Sequence, residues 1–284
     1  MCLYPRLIRN KKYLSNKKNK GNIPICHDER TKYVPVGCGR CIECRKQKAQ
    51  EWKVRLNEEL RENPNAHFVT FTFEESQLDN LCRELHTEDA DIISTIAIRR
   101  FTERWRKKYK KAPRHFLINE LGHTGTERLH FHGIIFYDNV SDRTLEEIWK
   151  YGMIWVGEYV NEKTINYIVK YVTKIDHDHA DFVQHIFASK GLGKAYINRP
   201  NAILNKYKGE KTREYYTLPN GMRVNLPIYY RNHIYTEDER EQLWINKLDA
   251  QTRYILGVKH ICITNEQLQT YEEHLKNAQE LNII

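Results

Sequence analysis

Two histidines separated by one apolar residue are the first feature of this sequence that could bind a metal ion. His130 and His132 lie in residues 129–137, LHFHGIIFY, whose aromatic and β-branched residues predict a strand. Side chains alternate between the two faces of a strand, so both imidazoles point the same way and Phe131 points into the opposite layer. Two imidazoles side by side can chelate one divalent ion, although such a pair can also be packed or solvated without a metal.

A carboxylate is available as a third ligand. Glu120 closes the preceding predicted strand, and it would lie beside the two histidines if the strands pair as an antiparallel hairpin. Two histidines and one carboxylate leave coordination positions open on Mg²⁺, Mn²⁺ or Zn²⁺, where a substrate oxygen can be polarised. His123, in the predicted turn between the strands, is an alternative third ligand.

A predicted helix over residues 162–175 carries two tyrosines and two lysines. Spacings of i, i+3, i+4 and i+7 place these four on one face: Tyr167, Lys170, Tyr171 and Lys174. A tyrosine hydroxyl has a pKa near ~10, so a neighbouring cation or metal helps it to ionise and act as a nucleophile. An ordinary amphipathic helix with its tyrosines and lysines reaching into solvent is the alternative.

Together, these two motifs are typical of phosphodiester transesterification. A metal polarises the scissile phosphate and a tyrosinate attacks in line. The protein becomes linked to the DNA 5′-phosphate, and a free 3′-OH is released. A basic chain that carries both motifs is therefore predicted to nick and join DNA.

Three of the seven cysteines follow one another at regular spacing, as Cys38, Cys41 and Cys44. In a reducing compartment such crowding favours metal ligation over disulfides. The candidates for a fourth ligand are Cys2, Cys26 and His27. A structural Zn²⁺ would be tetrahedral and closed; unliganded thiols and an iron–sulfur cluster are the alternatives.

Composition and charge favour a folded protein with a polyanionic partner. The 284 residues carry 46 Lys and Arg against 37 Asp and Glu, a formal net charge of +9, and 40% are hydrophobic. This excess of positive charge favours nucleic acid as a partner. The candidate phosphate contacts are Arg45, Lys46, Lys48, Arg99, Arg100, Arg104, Arg106 and Lys107.

Membrane and secretory features are not expected. No segment approaches the ~18 consecutive apolar residues that a transmembrane helix needs. The N-terminal MCLYPR has no apolar signal-peptide core. We therefore expect a cytoplasmic protein without a membrane partner.

The elements that must position these residues predict an α+β fold. We expect a central antiparallel sheet that carries the metal site, with helices, including the tyrosine helix, on one side. The predicted segments are a basic N-terminal part with the cysteines and a helix (1–62), a nuclease core (63–200) and a C-terminal helical extension (201–284). No Walker phosphate loop occurs in the sequence, so no helicase domain is predicted.

At these motifs the chain resembles the HUH endonucleases, and specifically the rolling-circle replication initiators of microvirus (gokushovirus-type) single-stranded DNA phages. The motifs that carry the resemblance are FVTFTF at 68–73, LHFHG at 129–133 and YIVKYVTK at 167–174. The opening MCLYP, CGRCIECR at 38–45 and YYR at 229–231 also look similar to that group.

The resemblance implies a division of roles. His130, His132 and Glu120 would bind Mg²⁺ or Mn²⁺, and Tyr167 and Tyr171 would alternate as nucleophiles. Lys170 and Lys174 would orient the scissile phosphate. The implied partners are single-stranded and origin duplex DNA, a host helicase and a host DNA polymerase, in the cytoplasm of a bacterial host.

Two other interpretations remain open. A non-catalytic, zinc-containing DNA-binding regulator explains the charge and the cysteines but leaves the histidine pair and the tyrosine face without a role. A relaxase or single-strand transposase would use the same chemistry for another purpose.

Overall fold

The computed structural model describes residues 2–122, 127–157, 159–174, 179 and 182–281. The chain forms two compact units. One unit is the continuous segment Trp52–Tyr196, and the other combines Met1–Glu51 with Ile197–Ile284. The two chain ends, which the sequence divides into separate segments, therefore lie in the same unit.

Helices and short strands alternate along the described chain. The helices are α1 (Ile42–Glu62), α2 (Glu75–Leu85), α3 (Ala90–Tyr109), α4 (Asp142–Trp149), α5 (Glu162–Thr173), α6 (Pro200–Ile203), α7 (Ile228–Ile234), α8 (Glu237–Asp249) and α9 (Asn265–Glu280). The strands are β1 (Arg6–Arg9), β2 (Tyr33–Val36), β3 (Ala66–Thr72), β4 (Arg114–Leu121), β5 (Leu129–Phe136), β6 (Ile154–Val156), β7 (Ile186–Ala188), β8 (Tyr215–Thr217), β9 (Arg223–Asn225), β10 (Thr252–Ile255) and β11 (Val258–Ile261).

The unit formed by Trp52–Tyr196 contains a five-stranded sheet with the strand order β6-β3-β5-β4-β7. Every neighbouring pair in this sheet is antiparallel. The predicted α+β fold with a central antiparallel sheet is therefore confirmed. The β4–β5 pairing sets Glu120 opposite His130 and Ile118 opposite His132, as the predicted hairpin requires.

Helices cover both faces of this sheet, so the expectation of helices on one side is wrong. On one face, Phe101 of α3 packs in a core with Phe71 and Phe131. On the other face, Trp52 of α1 contacts Phe116 with ring centroids 4.7 Å apart, and α5 covers the strand ends. The physical reason is that side chains from both faces of β5 are apolar and buried, and each face needs a covering layer.

Gly133 allows β5 to approach β4 closely beside the histidine motif. A Cβ atom at this position would lie 2.0 Å from the backbone oxygen of Phe116. Any larger residue would therefore force the two strands apart, and their pairing positions Glu120 against His130.

The other unit contains the two-stranded ladders β1–β2, β8–β9 and β10–β11. A small core in this unit joins Leu3 and Cys41 from the N-terminal segment to Ile255, Tyr271 and Ala278 from the C-terminal segment. Among the helices described, none is long and apolar enough to cross a membrane.

Candidate active site

Three metal-binding side chains converge on the face of the sheet that α5 covers. The Nε2 atoms of His130 and His132 each lie 3.3 Å from Oε2 of Glu120. One ligand atom from each of the three residues lies within 4.8 Å of the other two. Glu120 is buried and both histidines are partly buried. The cluster is a possible metal site.

The second nitrogen of each imidazole has a hydrogen-bond partner that orients the ring. His130 Nδ1 lies 3.0 Å from the backbone oxygen of Arg128. Because a carbonyl can only accept, Nδ1 carries the proton and the Nε2 lone pair faces Glu120. His132 Nδ1 lies 3.0 Å from Thr70 Oγ1. Outer partners of this kind are usual for metal-binding histidines, so the donor set fits a divalent cation.

The charges of the cluster favour an ionised carboxylate. Burial alone would raise the pKa of Glu120, but hydrogen bonds from His130, His132 and Lys174 bring that pKa well below its usual range. Burial likewise acts to lower the pKa of His130, but the hydrogen bond to Glu120 outweighs it and the pKa is raised. Glu120 is therefore available as an anionic ligand over the whole physiological pH range.

The two tyrosines of α5 meet directly above the histidines. The hydroxyls of Tyr167 and Tyr171 lie 2.6 Å apart. The Tyr171 ring stacks on the His132 ring with centroids 4.8 Å apart and planes at 24°. Tyr167 is 48% exposed and its ring meets the ring of Phe68 edge-on at 5.9 Å. The predicted nucleophiles and the predicted metal ligands are thus neighbours in space.

Without a metal, the Tyr171 hydroxyl is held neutral. Burial, the hydrogen bond to Tyr167 and the charge of Glu120 all raise the pKa of Tyr171. The sequence-based expectation that flanking lysines favour ionisation is therefore not met by the protein side chains alone. A bound cation next to Glu120 would offset the carboxylate charge and lower the pKa of this hydroxyl.

The lysines of α5 occupy different surroundings. Lys174 follows the last helical residue and forms an ion pair with Glu120, so it reaches the metal ligands. Lys170 is exposed on the helix surface. Of the two predicted phosphate-orienting cations, the structure brings Lys174 to the cluster.

Local sequence explains how α5 presents this face. Asn161 and Thr164 form a capping box at its start. The helix then buries a separate apolar stripe, formed by Ile165, Ile168, Val169 and Val172. Burial of that stripe leaves the tyrosine face directed at the sheet edge and at solvent.

An open groove that the sequence analysis missed adjoins the site. Its volume is about 880 Å³, and its lining includes Phe68, Thr70, His132, Trp155, Tyr159, Lys163 and Tyr167. Trp155 is 60% exposed and Tyr159 is 67% exposed. Trp155 lies on β6, which is an edge strand of the sheet. A large aromatic residue exposed on an edge strand has no packing reason, and that signal could have indicated a binding surface.

The predicted cysteine cluster gains Cys2 and excludes Cys26. One sulfur from each of Cys2, Cys38, Cys41 and Cys44 lies within 4.8 Å of the others. Cys26 instead directs its sulfur at the backbone oxygen of Asp28, 3.1 Å away. All seven cysteines are free thiols.

The predicted DNA-contact residues divide into three groups. On α3, Arg104 donates to the backbone oxygens of Ile148 and Trp149 at 2.6 and 2.5 Å, and Arg100 pairs with Glu84. These two arginines hold the fold together. The exposed members of α3 are Arg99, Arg106 and Lys107, and α3 packs on the sheet face opposite the histidines.

The third group lies near the start of α1. Lys46 and Lys48 are exposed there, and Arg45 is partly buried. His123, the alternative third ligand, lies outside the described residues.

Comparison with known proteins places these features among phage replication proteins. Residues 66–176 match the family model of the replication-associated protein ORF2. The matched segment contains the histidine motif, Glu120 and both tyrosines of α5.

Two curated relatives have related names. The chain is 25% identical over 221 residues to replication-associated protein VP4 of Bdellovibrio phage phiMH2K, covering 69% of this chain and 66% of the relative. It is 26% identical over 226 residues to replication-associated protein ORF2 of Spiroplasma virus 4, covering 69% of each. The chain therefore spans about two thirds of these relatives. No solved structure matches. The resemblance predicted from the motifs is confirmed at this modest identity.

Proposed function

We propose that this protein initiates phage DNA replication by nicking and rejoining DNA through a covalent 5′-phosphotyrosine intermediate. The main support is one convergence: the hydroxyl pair of Tyr167 and Tyr171 stands over the Glu120, His130 and His132 cluster. The similarity to replication-associated proteins of phages supports the biological role.

Glu120, His130 and His132 would hold a divalent cation, for which we propose Mg²⁺ or Mn²⁺. Mixed nitrogen and oxygen donors and the open side of the cluster suit these ions. Such a cation would supply positive charge to a non-bridging oxygen of the scissile phosphate. Lys174, already paired with Glu120, adds a second positive charge at the same point.

The reaction is a transfer of one phosphoryl group. A tyrosine hydroxyl loses its proton to solvent, and its oxygen forms a bond to phosphorus. The bond from phosphorus to the 3′ oxygen breaks, and that oxygen takes up a proton to become a free 3′-OH. The phosphodiester energy stays in the phosphotyrosine bond, so a later attack by a 3′-OH rejoins the strand and releases the tyrosine.

Two adjacent tyrosines suit a cycle of nicking and rejoining. Because the hydroxyls lie 2.6 Å apart, either oxygen can reach one phosphate held at the cluster. One tyrosine can carry the first covalent DNA end while the other attacks a second phosphate. Either residue alone is therefore expected to support a single nick.

The groove beside the cluster fits single-stranded DNA. Exposed aromatic rings stack on bases irrespective of sequence, and neighbouring cations contact the backbone. Trp155 and Tyr159 would stack bases, and Lys163 would contact a phosphate. Origin duplex must be opened before it can enter, and we propose that a host helicase does this and a host DNA polymerase extends the 3′-OH in the bacterial cytoplasm.

A covalent-adduct assay tests the proposal. Full-length protein is mixed with single-stranded DNA from the phage origin and Mg²⁺ or Mn²⁺, and the products are separated under denaturing conditions. Tyr167→Phe and Tyr171→Phe should each retain adduct formation, and the double variant should lose it. Tyr159→Phe, which keeps the ring and removes a hydroxyl that has no role in the reaction, is the matched control. An adduct in the double variant would refute the tyrosine assignment, and no adduct with any metal would refute the enzyme.

The same assay separates the alternatives. A zinc-containing DNA-binding regulator, favoured by the cysteine cluster, would bind the DNA without forming an adduct. A relaxase or transposase would form the adduct but would not release a closed single-stranded circle after synthesis.

A further inference from the structure

The four clustered cysteines have the spacing of a single tetrahedral metal centre. The sulfurs of Cys2 and Cys41 lie 3.9 Å apart. A metal–sulfur distance of ~2.3 Å in a tetrahedron places any two sulfurs about 3.8 Å apart. A disulfide would need ~2.05 Å, and the several metal atoms of an iron–sulfur cluster would need a wider separation than the 4.8 Å observed.

Backbone amides already surround these sulfurs. The N–H groups of Tyr4 and Cys38 point at Cys2 Sγ at 3.3 and 3.2 Å, and the N–H of Cys41 points at Cys38 Sγ at 3.3 Å. Gly39 has a φ of +78°, which lets the chain turn between Cys38 and Cys41 without side-chain strain. Amide donors around sulfur stabilise thiolates rather than thiols, as outer partners do at metal sites.

Charge around the cluster points in the same direction. Four thiolates and one Zn²⁺ carry a net charge of −2, which needs compensation. Arg40 and Arg45 alternate with the cysteines in the CGRCIECR segment, and Lys46 follows. The adjacent charges in the chain are thus mainly positive.

The surrounding unit has a structural need for a metal. Its ladders are two-stranded, and isolated two-stranded ladders are marginally stable in water. Cys41 is fully buried in a small core with Leu3, Ile255 and Tyr271. A metal at this point would tie residue 2 to the first turn of α1 and to the core that holds the C-terminal segment.

We infer that Cys2, Cys38, Cys41 and Cys44 bind one structural zinc ion, which joins the two chain ends in one unit. The ion is four-coordinate and saturated by protein, so it takes no part in DNA cleavage. The inference is independent of the proposed nuclease function, because the two clusters share no ligand.

Zinc analysis of the full-length protein tests this inference. The protein is purified under reducing conditions without chelators, desalted and analysed for metals, and its zinc is examined by X-ray absorption. We expect one zinc ion per chain with four sulfur neighbours at ~2.3 Å. Cys38→Ser should lose the zinc, whereas Cys26→Ser, which changes a cysteine outside the cluster, should keep it.

A second control separates the two clusters. The variant His130→Ala/His132→Ala should keep the sulfur-bound zinc even if it has lost all nicking. Zinc with nitrogen and oxygen neighbours that disappears in this variant would overturn the inference, as would iron in place of zinc or a chain that binds no zinc after reconstitution. If Cys38→Ser fails to fold, the X-ray absorption of the unaltered protein decides by itself.

Discussion

The two metal-binding clusters of this protein differ in the properties that decide what a metal would do there. Glu120, His130 and His132 offer one oxygen and two nitrogen donors, and they adjoin a tyrosine pair and an open groove. The cysteine cluster offers four sulfur donors, and its member Cys41 is fully buried in an apolar core.

This contrast matches the general difference between catalytic and structural metal sites. Three protein ligands leave a coordination position for substrate, whereas four close the site. The neighbours agree with that division, since the open cluster faces nucleophiles and exposed aromatic rings while the closed cluster packs against aliphatic side chains. Variants of the two clusters should therefore fail in opposite ways.

The largest effect is expected from His130→Ala/His132→Ala. Loss of both imidazoles removes the cation that would stabilise the scissile phosphate, worth several kcal/mol and hence more than about a hundredfold in rate. Adduct formation should fall by at least that factor, while the midpoint of thermal unfolding changes little because both rings are partly exposed. His233→Ala, an exposed histidine in the other unit, is the control; a double variant that unfolds would mean that the open cluster is structural.

Cys41→Ser should have the opposite result. If the closed cluster holds zinc, the free energy of unfolding should drop by more than ~3 kcal/mol, because metal binding is coupled to folding. Chemical denaturation measures the drop, and the fraction that remains folded should still nick DNA. Cys82→Ser, a partly buried cysteine outside the cluster, should lose only ~1 kcal/mol. Equal losses in the two variants would argue against a metal at Cys41.

Trp155→Ala tests whether the groove belongs to the open cluster. Base stacking on an aromatic ring contributes ~1–3 kcal/mol, so the affinity for single-stranded DNA should fall about 5- to 150-fold. Fluorescence anisotropy with a labelled oligonucleotide measures this change. Tyr254→Ala removes an aromatic residue of similar exposure from the other unit and should leave the affinity unchanged; equal affinity in both variants would exclude the groove.

The smallest effect is expected from pH. The pKa of His130 is raised by Glu120, and a proton on its ring competes with a metal. Affinity for Mn²⁺ should therefore be full above that pKa and fall by up to about tenfold per pH unit below it. Glu120 adds no dependence in this window because its pKa is lowered. A calorimetric Mn²⁺ titration that shows equal affinity over roughly pH 5 to 8 would contradict a role for His130 as a ligand.

The site could be predicted from sequence because its spacing is local. Strand alternation places His130 and His132 on one face, and a short hairpin brings Glu120 opposite His130. Helical periodicity places Tyr167 and Tyr171 together in the same way. Each inference spans only a few residues, over which backbone geometry decides the direction of a side chain.

Other features could not be predicted because they depend on distant parts of the chain. Cys2 reaches Cys41 only through the packing of the N-terminal segment, and nothing near Cys26 indicates that its sulfur turns to Asp28 instead. Arg104 is one of several similar arginines on α3, and only the position of α4 gives it carbonyl partners.

Local periodicity in the amino-acid sequence was therefore enough to identify the metal ligands, the tyrosine pair and the antiparallel sheet that carries them. Tertiary packing decided that helices cover both faces of the sheet, that the exposed cations of α3 lie on the face away from the histidines, and that Trp155 and Tyr159 border a groove. The reason is that the period of a helix or strand is a property of the backbone. Which element covers which face depends on how apolar surfaces from remote segments are removed from water.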